Sequence, residues 1–91
     1  MVVFEKIDII NYLKEKGFKN VNSYVLINNE GCTFECGSVK YDLRHWLNCY
    51  GCDVDYYTLD GKDIENEKYI SCGSFNKLKD VIEYIERGNI K

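Results

Sequence analysis

The triplet Cys-Gly-Ser stands at residues 36–38 and again at residues 72–74. Each copy closes a short alternating run, with Phe34 and Cys36 in the first and Ile70 and Cys72 in the second. Each also precedes a longer segment whose apolar residues recur at helical spacing. The intervals from Cys36 to Cys72 and from Gly51 to Gly88 are nearly equal, the signature of a duplicated unit. In this reading the Cys ends a strand as a small core residue, the Gly turns the chain, and Ser38 and Ser74 cap the following helices.

Three segments carry the helical period. Over residues 3–16, Phe4, Ile7, Ile10 and Leu13 form a stripe that stops at Gly17, with Phe18 placed to fold back onto Leu13 in a Schellman ending. Over 75–87, Phe75, Leu78, Ile82 and Ile85 do the same before Gly88. Over 39–50, Val39, Leu43, Trp46, Leu47 and Tyr50 fall at i, i+4, i+7, i+8 and i+11 before Gly51, which predicts a third helix. Between them lie strand-like runs at 21–27, 32–36, 52–59 and 68–72, joined in pairs by polar turns. The expected fold is α+β, an αββαββα pseudo-repeat with a four-stranded, mainly antiparallel sheet and all three helices on one face. Its single domain, 1–91, divides into αββ units at about 3–37 and 38–73 and a C-terminal helix at 74–88.

The chain has 91 residues, no proline and five cysteines, and its net charge of −3 comes from acids scattered among bases. That charge pattern argues against direct nucleic-acid binding and suits a basic protein partner. Met-Val-Val-Phe-Glu-Lys at the N-terminus lacks the apolar core of an export signal or membrane span, so a cytoplasmic protein with reduced thiols and no membrane partner is expected. Cys32, Cys36, Cys49 and Cys52 match a zinc-ribbon ligand set in spacing. Against zinc, Cys32 and Cys36 on one strand would stand about 13 Å apart, too far to share an ion. Cys49 and Cys52 could form a redox pair, but Cys49 falls at the C-terminal end of the predicted helix, where the dipole disfavours a thiolate. His45 stands four residues before Cys49 with no orienting third group, so neither catalysis nor a cofactor is expected.

What remains is the sheet face away from the helices. With Cys52, Val54, Tyr56 and Thr58 turned inward, period-2 alternation turns Asp53, Asp55 and Tyr57 outward, joined by Glu67 and Tyr69 on the paired strand and by Glu35 in the first hairpin. The expectation is a non-enzymatic, acidic interaction module that docks this face onto a basic surface. A narrower version is a phage or mobile-element inhibitor of a basic nucleic-acid-binding host effector, of the anti-CRISPR or antirestriction kind. A zinc module using Cys32, Cys36, Cys49 and Cys52, and a toxin-immunity protein, are the alternatives.

Overall fold

The run Val39–Trp46 satisfies two periods at once. Val39, Leu43 and Trp46 fit a helix, while Val39, Tyr41, Leu43 and His45 fit a strand. In the computed structural model, which describes residues 6–27, 29–46, 56–88 and 90 and side chains from Ile9 onward, the run is a strand. The elements are α1 (Lys6–Glu15), β1 (Lys19–Val25), β2 (Asn29–Cys36), β3 (Val39–Trp46), β4 (Tyr56–Asp63), β5 (Lys68–Phe75) and α2 (Leu78–Glu86). The α+β class holds, with a five-stranded antiparallel sheet in the order β1-β2-β3-β4-β5 where four strands were expected. The described residues contain two helices, not three. Residues 47–50 of the expected middle helix lie outside them.

Neighbours decide this difference. β3 aligns residue for residue with β2 on one side and β4 on the other, which buries Tyr41, Leu43 and His45 and gives every residue a ladder position. A helix at the same place would forfeit both ladders. With its helix replaced by β3, the second αββ unit no longer repeats the first.

The Cys-Gly-Ser copies differ for the same reason. Cys36 pairs with Val39, so Gly37 (φ 62°) and Ser38 are a two-residue hairpin turn. Ser38 caps no helix; its hydroxyl donates to Asp63 Oδ1 at 3.3 Å. The second copy lies inside β5, where the register slips between Asp60, paired with Ser71, and Leu59, paired with Gly73. Cys72 therefore sits at a bulge rather than a strand end, and α2 begins only at Leu78, behind an N-cap residue, Lys77, that makes no side-chain cap bond.

Both helices end as their glycines predict. Gly17 N–H donates to Lys14 O at 3.0 Å and Phe18 N–H to Leu13 O at 3.2 Å, the two bonds of a Schellman ending. That brings the Phe18 ring to 5.0 Å from the Phe34 ring. α1 covers β1 and β2, and α2 covers β4 and β5, on the same side of the sheet. Tyr12 donates its hydroxyl to the Glu86 carboxylate, and Lys16 Nζ lies 3.3 Å from it, tying the helices together. Ile9 and Leu13 of α1 and Val81 and Ile85 of α2 close over Phe34, Leu43 and Leu59 of the sheet. Burial of each such side chain contributes about 1.5–3 kcal/mol. No helix among the described residues is long and apolar enough to cross a membrane.

Candidate functional site

Alternation along the paired strands sorts the side chains into two faces. Leu43, Tyr41 and His45 of β3, with Leu59 and Tyr57 opposite, point to the helices. Lys40, Asp42, Arg44 and Trp46 point to the face that no described element covers, opposite Lys62, Asp60, Thr58 and Tyr56. β1 and β2 extend this open face with Tyr24 and Glu35.

Its most constructed part is built around Arg44. Tyr24, Gly31 and Arg44 are in register on three successive strands, and the two long side chains meet above the glycine. Arg44 Nε donates to Tyr24 Oη at 2.9 Å, and its Nη2 donates to Asp42 Oδ2 at 3.0 Å. Tyr24 Oη in turn donates to Asp42 Oδ1 at 2.6 Å. The guanidinium carbon lies 5.6 Å from the Tyr24 ring centre and 5.4 Å from the Trp46 ring centre, within cation–π range of both. Trp46 stacks on Tyr56 with centroids 6.2 Å apart and planes 14° from parallel, and its indole N–H donates to Thr58 Oγ1 at 3.1 Å. The outcome is a fixed ridge of Tyr24, Arg44, Trp46 and Tyr56 across four strands. Partial burial, then the bond to Asp42, pushes the Tyr24 phenol up to about 12, so it stays neutral at ordinary pH.

The residues expected to form the site are only partly brought together. Asp53 and Asp55 lie outside the described residues. Tyr57 was expected on the open face and is instead 8% exposed on the helix side, where it stacks on His45 at 4.4 Å. The parity of β4 is the reverse of that expected, because Leu59 and Tyr57 supply the buried alternation and the side chains of Tyr56 and Thr58 go outward. Glu35 is on the open face, paired with Lys40 and Lys19. Tyr69 is 66% exposed opposite Lys62, and its hydrogen bond to Asp60 raises its pKa. Glu67 occupies the β4–β5 turn at φ 53°.

The acidity expected of this face is also absent among the described residues. Lys19, Lys40, Arg44 and Lys62 balance Glu35, Asp42 and Asp60. Asp42 and Asp60 stand directly opposite each other, an arrangement that costs stability unless neighbours relieve it. Arg44 and Tyr24 relieve Asp42, and Tyr69 relieves Asp60. Sequence reading missed Tyr24, Arg44, Trp46 and Tyr56 because it placed Arg44 and Trp46 on a helix and gave β4 the wrong parity. The available signal was the alternation of Tyr41, Leu43 and His45 against Asp42, Arg44 and Trp46.

The described cysteines do not compete for the role. Cys32 and Cys36 share the helix side of the extended strand β2, about 13 Å apart at strand rise, so they cannot ligate one ion together. Cys32 is fully buried, and burial, with Asp42 nearby, pushes its thiol up to about 12, far from a reactive thiolate. Cys49 and Cys52 lie outside the described residues. His45 and Glu30 face each other across β2 and β3, both 3% exposed, with Nδ1 3.7 Å from Oε2, and Tyr57 covers the imidazole. No part of this pair reaches the open face. Comparison with protein families, with curated proteins and with solved structures gives no match to this chain, so its function is read from the geometry alone.

Proposed function

We propose that this chain is a non-enzymatic protein-interaction module that binds its partner through the open sheet face, centred on Tyr24, Arg44, Trp46 and Tyr56. The observation that carries this reading is the Arg44 guanidinium held between the Tyr24 and Trp46 rings. Trp, Tyr and Arg are the residues that dominate binding energy at protein interfaces, and side chains already locked in place lose little entropy on association. Mixed charge around the ridge, with Asp42 and Asp60 at its middle, suits a protein surface of mixed charge better than a polyanion. The narrower idea of an inhibitor that captures a basic effector rests on the acidic residues Asp53, Asp55, Glu67 and Glu35 with Tyr57 and Tyr69, of which Asp53 and Asp55 lie outside the described residues and Tyr57 faces the helices.

Affinity capture followed by mass spectrometry tests both. The bait is compared with Arg44→Ala, Tyr56→Ala and the charge-reversed Asp53→Lys/Asp55→Lys/Glu67→Lys variant, each checked for an unchanged melting temperature. A partner lost with Arg44→Ala and Tyr56→Ala but kept by the charge-reversed variant supports the ridge. The opposite pattern replaces it with the acidic residues Asp53, Asp55 and Glu67, and a partner kept by all the variants removes both.

A further inference from the structure

We propose that the free edge of β1 pairs antiparallel with the same edge of a second copy of this chain, joining two sheets across a two-fold axis. Among the described residues β1 is the outer strand of the sheet, and no described strand lies beside the backbone groups along its other side. From Asn20 to Asn29 the sequence has no Lys, Arg, Asp, Glu or Pro, although charged residues are 30% of the chain. Charges, prolines and bulges are the means by which edges avoid pairing. The bulge of β1 falls at its start, between Lys19 and Asn22, and leaves Asn22–Val25 in regular register. The other edge, β5, is broken by its bulge well inside the strand, at Cys72 and Gly73.

Exposure points to the same place. Val25 is 61% exposed even though it faces the helix side, so α1 stops short of it, and Leu26 and Ile27 are 51% and 100% exposed beyond it. Three consecutive apolar residues in water at the tip of a hairpin are unusual without a covering surface. A second copy fits because it brings the same uncharged strand. The edges of two chains that each carry a net charge of −3 meet where neither carries any charge. Residues opposite one another in an antiparallel pair share a face. Centred on Val25, the pairing sets Val25 against its own copy and Tyr24 against Leu26 of the second copy. A two-fold axis normal to the sheet keeps both open faces on one side, so two Tyr24–Arg44–Trp46 ridges would lie on one continuous surface. The proposal goes beyond the binding role above and does not need it, since its readout is mass rather than capture.

A strand edge of this length buries less than the ~800 Å² per partner of a standard interface, so the dimer is weak and is best read across concentration. Sedimentation velocity of the full chain from micromolar to millimolar concentration is expected to show a monomer giving way to a dimer. Val25→Lys and Val25→Glu should each stay monomeric with an unchanged melting temperature, and an equimolar mixture should recover the dimer through the Lys–Glu pair at the axis. Ile27→Lys, at a fully exposed position, should weaken the dimer likewise and stands in if either Val25 variant misfolds. A wild-type chain that stays monomeric throughout, a Val25→Lys chain that dimerises as wild type does, or a mixture no more dimeric than its components overturns the pairing. A foreign strand as the natural occupant of this edge is covered by the first of these outcomes.

Discussion

Tyr24 and Arg44 touch across an intervening strand, with Arg44 Nε donating to Tyr24 Oη at 2.9 Å above Gly31 of β2. A Cβ at Gly31 would lie 2.8 Å from Tyr24 Oη and 2.3 Å from the Leu43 carbonyl oxygen, and the latter is backbone that cannot swing aside. Gly31→Ala is expected to destabilise by about 1–3 kcal/mol, the range for overpacking a filled site, and to part Tyr24 from Arg44. Urea unfolding measures the loss. A midpoint equal to wild type would contradict the close approach.

Neighbouring tyrosines on β4 should behave oppositely. Tyr57 is 8% exposed against His45, while Tyr56 is 38% exposed on the other face. Tyr57→Ala is expected to cost about 3–5 kcal/mol, as large aromatic truncations in cores do. Tyr56→Ala should stay within about 1 kcal/mol of wild type, since it removes an exposed ring and one stacking contact. Thermal melts of the two variants decide the parity of the strand directly. Equal losses would mean that β4 is not oriented as described.

Alkaline pH should weaken the fold. The Cys32 thiol is raised to about 12 by burial and then by the charge of Asp42, and the Tyr24 phenol to about 12 by burial and then by its bond to Asp42. Tyr41, Tyr84 and Cys72 are raised too, each chiefly by burial. Groups that hold their protons more tightly folded than unfolded stabilise fully below their unfolded pKa values, and that contribution is lost as pH climbs through the folded ones. Stability is therefore expected to fall from about pH 9 towards 12, followed by circular dichroism melts, and Tyr24→Phe should flatten the upper part of the curve. A melting temperature constant from pH 8 to pH 12 would rule this out.

Glu30 and His45 form a buried polar pair that is costly to break from one side. Replacing His45 by Leu leaves the Glu30 carboxyl group, 3% exposed, without its imidazole neighbour, which is expected to cost about 1–3 kcal/mol. The double variant Glu30→Leu/His45→Leu should recover part of that loss, because both polar groups then leave the interior together. A double-mutant cycle by chemical denaturation gives the coupling, and strict additivity would show that the two residues do not depend on each other.

Much of the frame was legible locally. The stripes before Gly17 and Gly88 are read as helices and are helices, except that Phe75, expected to open the second, is the last residue of β5; a period and a terminating glycine are short-range signals. Inward parity on β5 is also read correctly, with Ile70 and Cys72 on the helix side. The middle of the chain was not legible, since Val39–Trp46 satisfies both periods and local spacing cannot choose between them. Reading it as a helix removed Arg44 and Trp46 from the sheet, and starting β4 at Cys52 reversed Tyr56 and Tyr57, so the ridge vanished from view although all its residues were in plain sight.

By itself the sequence determined what lies within a few residues of each signal: two amphipathic helices, the polar turns, and an α+β composition of elements. Only the tertiary structure decided that β3 is a strand and that Tyr24, Gly31, Arg44 and Thr58 stand in one row. The physical reason is that a strand is completed by hydrogen bonds to neighbours distant in sequence, here β2 and β4, and those partners set which side of it meets water.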